Sequence, residues 1–127
     1  MRGPAEMPKA ILVVEDDEAI LSTIELVLSE EGYEVLTATH GAAALDVIAR
    51  CSPGLILLDM KMPVMDGWTF AREYRARPGP RAPVVVVTAA RDAAERAHEV
   101  EGDGYVAKPF DIDTLLGVVA RYLPDPR

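Results

Sequence analysis

Leu55-Ile56-Leu57-Leu58-Asp59-Met60-Lys61-Met62-Pro63 runs four apolar residues straight into one carboxylate and then into a loop closed by proline. A continuous apolar run of strand length, with Pro53-Gly54 before it and Pro63 after it, predicts a central strand buried on both faces, as parallel strands in α/β domains are. Asp59 then falls at the carboxyl end of that strand, the edge where open α/β sheets bind their ligands. An aspartate there can also cap a loop or a helix. Its meaning depends on what the other strands bring to the same edge.

Outward from this stretch the chain alternates strand and helix. Ala10 to Val14 is a first apolar strand that ends abruptly in Glu15-Asp16-Asp17-Glu18. Ile20, Ile24, Val27 and Leu28 then repeat as the stripe of an amphipathic helix, stopped at Gly32. Asp17 and Glu18 suit the first turn of that helix, where acids meet the positive end of its dipole. Glu15 and Asp16 lie at the strand end itself and are less easily explained by capping. Tyr33 to Ala38 reads as an edge strand. A helix opening at Gly41 carries Ala44, Val47, Ile48 and Cys51 inward, and Ser52-Pro53-Gly54 breaks it.

After Pro63, Met65-Asp66-Gly67 turns into a helix with Phe70, Ala71 and Tyr74 inward and Arg72, Arg75 and Arg77 outward; Pro78-Gly79-Pro80 stops it. Pro83 to Val87 is a β-branched strand ending in Thr88. The helix expected from Asp92 to Val100 has mostly alanine to bury, and is the least well anchored of the set. Tyr105-Val106-Ala107 is a short last strand leading to Lys108-Pro109. Ile112, Leu115, Leu116, Val119 and Leu123 form the last helical stripe, with Asp111 as its N-cap.

Five such units joined by short connections predict a parallel sheet covered on both faces, with right-handed crossovers. All the strands' carboxyl ends then share one edge, which receives Glu15, Asp16, Asp59, Thr88 and Lys108.

The whole chain sets limits on what that edge can do. Its 127 residues, 50% hydrophobic and 27% charged, make one domain with no room for a second. We expect a flexible leader over residues 1–8, the domain over 9–123 and a tail over 124–127. A net charge of -8 argues against direct nucleic-acid binding, since 13 Lys and Arg against 21 acids form no basic face for phosphates. Cys51 is the only cysteine, which excludes an internal disulfide and suits a reducing cytoplasm. The first residues lack the apolar core of a signal peptide or membrane anchor. His40, His98, Trp68 and the methionines read as structural, and the three arginines as a solvated helix face.

Three carboxylates meeting at one edge repel one another, by roughly 4 kcal/mol for unit charges about 4 Å apart at an effective dielectric near 20. Something positive belongs among them. An oxygen-only cluster without His or Cys matches a hard cation, and few protein carboxylates suit magnesium, which keeps waters and binds phosphate oxygens. Lys108 supplies a second positive charge and Thr88 a hydroxyl. An aspartate with these neighbours is arranged as a nucleophile that accepts a phosphoryl group.

Val14-Glu15-Asp16-Asp17, Leu58-Asp59-Met60-Lys61-Met62-Pro63-Val64-Met65-Asp66-Gly67, Val87-Thr88-Ala89 and Tyr105-Val106-Ala107-Lys108-Pro109-Phe110 together resemble the receiver domain of bacterial two-component response regulators. The resemblance spans about residues 9 to 123. It implies a flavodoxin-like, doubly wound (βα)5 fold with strand order 2-1-3-4-5 and a cis Lys108-Pro109 bond. By the same resemblance Asp59 is the phosphoacceptor, and Glu15 and Asp16 are the acidic pair of a magnesium site completed by Asp59 and the Lys61 backbone carbonyl. Thr88 is then the switch hydroxyl, Lys108 the phosphate-binding ammonium, and Tyr105 the aromatic that changes rotamer.

The implied protein is no enzyme in the ordinary sense. We expect a stand-alone switch, with at most weak self-dephosphorylation, phosphorylated by a sensor histidine kinase or a histidine phosphotransfer protein. Its output goes through a protein partner, by the face of the alanine-rich helix, the Tyr105 strand and the last helix.

Three rivals are weaker. A pseudo-receiver that binds partners without phosphorylation would not need the intact set of acids, Thr88 and Lys108. An aspartyl-phosphate phosphatase usually places a second acid two residues beyond the nucleophile, where this chain has Lys61. A flavin carrier on the same fold would prefer a neutral, hydroxyl-rich loop after the first strand.

Overall fold

A computed structural model describes residues 5–89 and 91–123, with side chains from Ala10 onward. Ten elements alternate: β1 (Ala5–Val14), α1 (Glu18–Glu30), β2 (Glu34–Ala38), α2 (Gly41–Arg50), β3 (Cys51–Leu58), α3 (Gly67–Ala76), β4 (Val84–Ala89), α4 (Ala93–Glu99), β5 (Gly104–Lys108) and α5 (Ile112–Tyr122). The strands form one parallel sheet in the order β2-β1-β3-β4-β5, as expected. β3 is central, and Leu55, Ile56, Leu57 and Leu58 are all buried.

Side-chain alternation sorts the core into two layers. Leu12, Val14, Ile56, Leu58 and Val86 face α2, α3 and α4, packing with Ala44, Ile48, Phe70 and Ala97. Ile11, Val13, Leu57, Val85 and Val106 face α1 and α5, packing with Ile24, Leu28, Leu115 and Val119. A period of two on the strands meets a period of 3.6 on the helices, which covers both faces of the sheet.

The helix ends follow their local chemistry. The Asp17 carboxylate accepts from the Ala19 and Ile20 amides at 3.0 and 3.1 Å, Asp66 from Thr69 at 2.9 Å, and Asp111 from Thr114 at 2.7 Å. At the far end of α1, Gly32 has φ 102°. Its amide reaches Ser29 and that of Tyr33 reaches Leu28, the double bond that a left-handed residue makes possible. His40 caps α2: its Nδ1 accepts from the Ala43 amide at 3.1 Å.

Three expectations need correction. β1 starts at Ala5 rather than Ala10, so residues 5–8, expected in the leader, run as strand; residues 1–4 and the 124–127 tail lie outside the described residues. This longer β1 pairs Ala5, Glu6 and Met7 with Cys51, Ser52 and Pro53. Cys51 therefore opens β3 instead of closing α2, and Pro53 lies within the strand. Proline is tolerated there because β4 pairs with β3 only from Ile56 onward, which leaves Pro53 a neighbour on one side. Ile112, expected in the inward stripe of α5, is 51% exposed at the helix start.

Candidate functional site

The sheet's register brings the site together. Val14 pairs with Leu58, so the residues that follow, Glu15 and Asp59, leave adjacent strands side by side. Their backbones continue the ladder: the Asp59 amide donates to the Val14 carbonyl at 2.9 Å, and the Glu15 amide to the Ala38 carbonyl at 3.0 Å. On the other side of β3, Thr88 lies opposite Ala107, and Ala89 opposite Lys108. Four separated segments thus reach one rim without any long loop.

Glu15, Asp16 and Asp59 each offer a carboxylate oxygen within 4.8 Å of the others. Glu15 and Asp59 are buried and Asp16 is exposed, so the cluster opens to water on one side. Lys108 Nζ lies 2.6 Å from Glu15 Oε1 and 3.5 Å from Asp59 Oδ1. Asp59 Oδ1 also accepts from the Met60 amide at 2.9 Å, and Glu15 Oε2 from the Asp17 amide at 3.2 Å.

One ammonium against three carboxylates leaves an excess of negative charge, and it shows in the acid-base balance. Burial, then the hydrogen bond and charge of Glu15, push the Asp59 pKa from 3.8 up to about 7 against the opposing pull of Lys108. Lys108 is held above the ordinary amine value: burial acts to lower it, and Glu15 and Asp59 outweigh burial. The all-oxygen donor set, with one side open to water, fits a hard divalent cation.

Of the other sequence candidates, Thr88 is buried at the end of β4, next to this rim. Tyr105 is 50% exposed on the edge strand, and strand alternation puts it on the α4 side. It takes no part in the carboxylate cluster. The Lys61 side chain is exposed and makes no ion pair among the described residues. The Lys108-Pro109 bond is cis.

The loop after Asp59 is held by contacts that the sequence reading did not assign. Met60 is fully buried. The Gly67 amide donates to the Met60 carbonyl at 2.9 Å, and a Cβ on Gly67 would come within 2.8 Å of the Asp59 carbonyl oxygen. The Gly41 amide donates to the Met65 carbonyl at 2.9 Å, and a Cβ there would meet Met65 Cγ at 2.7 Å. Between them, Val64 turns the chain at φ 66°, with the Met65 amide on the Pro63 carbonyl at 2.7 Å, a γ-turn. Two glycines at helix starts were the available signal, but the contacts need the fold.

Residues 11–120 match the family model described as the response regulator receiver domain. The chain belongs to that family. As a receiver domain it is 39% identical over 125 residues to the response regulator MprA of a Mycobacterium species (strain KMS), covering 94% of this chain and 54% of the relative. The chain thus spans about half the length of the mycobacterial relatives it matches. It is also 35% identical over 120 residues to sporulation initiation phosphotransferase F of Bacillus subtilis, covering 93% of this chain and 96% of that one. Among solved structures it is similar to the receiver domain of a sensor histidine kinase from Pseudomonas aeruginosa, whose active-site cleft coordinates magnesium. That match has TM-score 0.81 and 31% identity, over 94% of this chain and all of the other. Among the described residues no helix is long and apolar enough to cross a membrane.

Proposed function

We propose that this receiver domain takes a phosphoryl group onto Asp59 from a phosphohistidine of a sensor histidine kinase or histidine phosphotransfer protein, and changes its surface for a protein partner. The observation that carries this reading is three carboxylates converging within 4.8 Å, with the Lys108 ammonium touching two of them. Magnesium, held by Glu15, Asp16, Asp59 and the Lys61 backbone carbonyl, would offset the acceptor's charge and that of the incoming phosphoryl oxygens.

In the transfer, an Asp59 carboxylate oxygen attacks phosphorus and an O–P bond forms as the N–P bond of the donor breaks. The departing imidazole nitrogen keeps the bonding electrons and takes up a proton. Asp59 must be ionised to act, so Lys108 and a bound cation would have to offset the burial and the Glu15 charge that favour its neutral form. Lys108 is placed to leave Glu15 for the new phosphoryl oxygens, and Thr88 to donate its hydroxyl to one of them. Attack of water on the same phosphorus would form a new O–P bond as the Asp59 O–P bond breaks, releasing inorganic phosphate and the free carboxylate, a weak self-dephosphorylation.

An apolar groove of about 490 Å³ runs beside Lys108, lined by Ala19, Ile20, Thr23, Ala89, Pro109 and Phe110. It offers an apolar docking surface beside the acceptor for the donor protein. Phosphorylation adds about -1.5 to -2 charges at Asp59. Drawing Thr88 and Lys108 inward pulls the two ends of the segment that carries α4, and Tyr105 changes rotamer beside it. The face of α4, β5 and α5 is then the output surface, and amide exchange over Arg91 to Gly104 should change when a phosphoryl mimic binds.

Phosphoramidate, a small N–P donor, tests the chemistry. With magnesium the protein should consume it and give a hydroxylamine-sensitive acyl phosphate that maps to Asp59 and is absent from Asp59→Asn. A donor consumed no faster with protein than without it would reject the reading.

A further inference from the structure

α4 brings only Ala93 and Ala97 into the core, so the large apolar side chains that fix the other helices are missing here. Its hold on α3 is polar instead. Trp68 Nε1 donates to Glu99 Oε1 at 2.8 Å, and Arg96 Nη2 donates to Glu99 Oε2 at 3.0 Å. The Arg96 guanidinium lies over the Trp68 ring, 5.7 Å from its centroid. Two turns along α3, Arg75 donates to the Val100 carbonyl and pairs with Glu101 at 2.5 Å.

Every one of these ties grips the second half of α4 or the turn after it. The first half is different: Asp92 precedes it without a side-chain cap bond, close behind the end of the strand that carries Thr88. Trp68 in turn follows Gly67, whose amide is bound to the Met60 carbonyl beside Asp59. The cluster therefore closes a circuit between the two segments that flank the carboxylate site.

We propose that Trp68, Arg96 and Glu99 form an inhibitory latch that holds α4 on α3 in the resting state and is weakened when α4 moves. This rests on the phosphoacceptor reading and adds a regulatory element to it. Contacts made only in the resting state lower that state's free energy, and an activating ligand must overcome them. Its apparent affinity is reduced by the fraction of molecules held at rest, so removing the latch tightens binding at a site the variant does not touch.

The test is the magnesium-dependent affinity for beryllofluoride, a phosphoryl mimic, followed through the Met60 amide, which reports on Asp59 and does not rely on Trp68 fluorescence. Arg96→Met keeps the side chain's length without its charge, and Trp68→Phe keeps a ring without the donor. Both should bind beryllofluoride about 3- to 10-fold more tightly than wild type. If Arg96→Met does not fold, Glu99→Gln, on an exposed position, carries the same expectation. Affinities equal to or weaker than wild type would overturn the latch, since a merely structural contact lowers stability without raising affinity. A wild-type protein that binds no beryllofluoride would reject the phosphoacceptor reading instead.

Discussion

Lys108 sits closer to Glu15 than to Asp59, at 2.6 against 3.5 Å, so the one ammonium that pairs with the site among the described residues is bound first to the acid that follows β1. Glu15 is 2% exposed and cannot exchange this partner for bulk water. Lys108→Met strands a buried charge and should destabilise the protein by about 2–4 kcal/mol. Adding Glu15→Gln should recover part of that loss, giving a non-additive cycle in urea unfolding. Additive losses would mean that the two groups do not depend on each other.

Asp59 is an acid whose proton is held more tightly folded than unfolded, with a pKa raised from 3.8 to about 7. In that window the folded state binds more protons than the unfolded state, so this site's contribution to stability falls as pH rises and is fully lost above about pH 7. In chelator, Asp59→Asn should match wild type near pH 4 and exceed it by about 1–3 kcal/mol at pH 8, after allowing for partial solvent screening. Thermal unfolding at several pH values reads this gap directly.

Gly67 leaves room for the acceptor loop. A Cβ there would meet the Asp59 carbonyl oxygen and Met60 Cα, both at 2.8 Å, and backbone atoms cannot swing away as a side chain would. Gly67→Ala should cost about 1–3 kcal/mol and slow phosphorylation by displacing Asp59. Gly117→Ala on α5, where a Cβ would meet nothing within 4 Å, should instead stabilise by about 0.5–1 kcal/mol with phosphorylation unchanged.

Asp16 is the exposed member of the acidic cluster, and its loss removes a cation ligand without opening the core. Asp16→Asn should keep wild-type stability in chelator but lose most of the rise in melting temperature that magnesium gives the wild type. Melting curves with and without magnesium check both halves of this expectation.

The fold was legible because its signals are periodic and local. Leu55 to Leu58 read as a buried strand from composition alone, and Asp17, Asp66 and Asp111 sit where helix dipoles and free amides want an acid. The convergence of Glu15, Asp16, Asp59 and Lys108 follows from topology, since parallel strands put all their carboxyl ends on one edge. What stayed hidden depends on contacts distant in sequence. Cys51 to Pro53 join β3 only because residues 5–7 extend β1 to meet them. The choice of Glu15 over Asp59 as the nearer partner of Lys108 is a matter of side-chain reach, and the Trp68, Arg96 and Glu99 cluster joins two helices about thirty residues apart. No period marks such pairs.

The central claim, that Asp59 is a magnesium-dependent phosphoacceptor, is tested most directly by intact mass after incubation with acetyl phosphate. Wild type with magnesium should gain the mass of one phosphoryl group, and should gain none in chelator or as Asp59→Ala. A wild-type protein that gains no phosphoryl group where another receiver domain does, or an Asp59→Ala variant that gains it equally, would contradict the account.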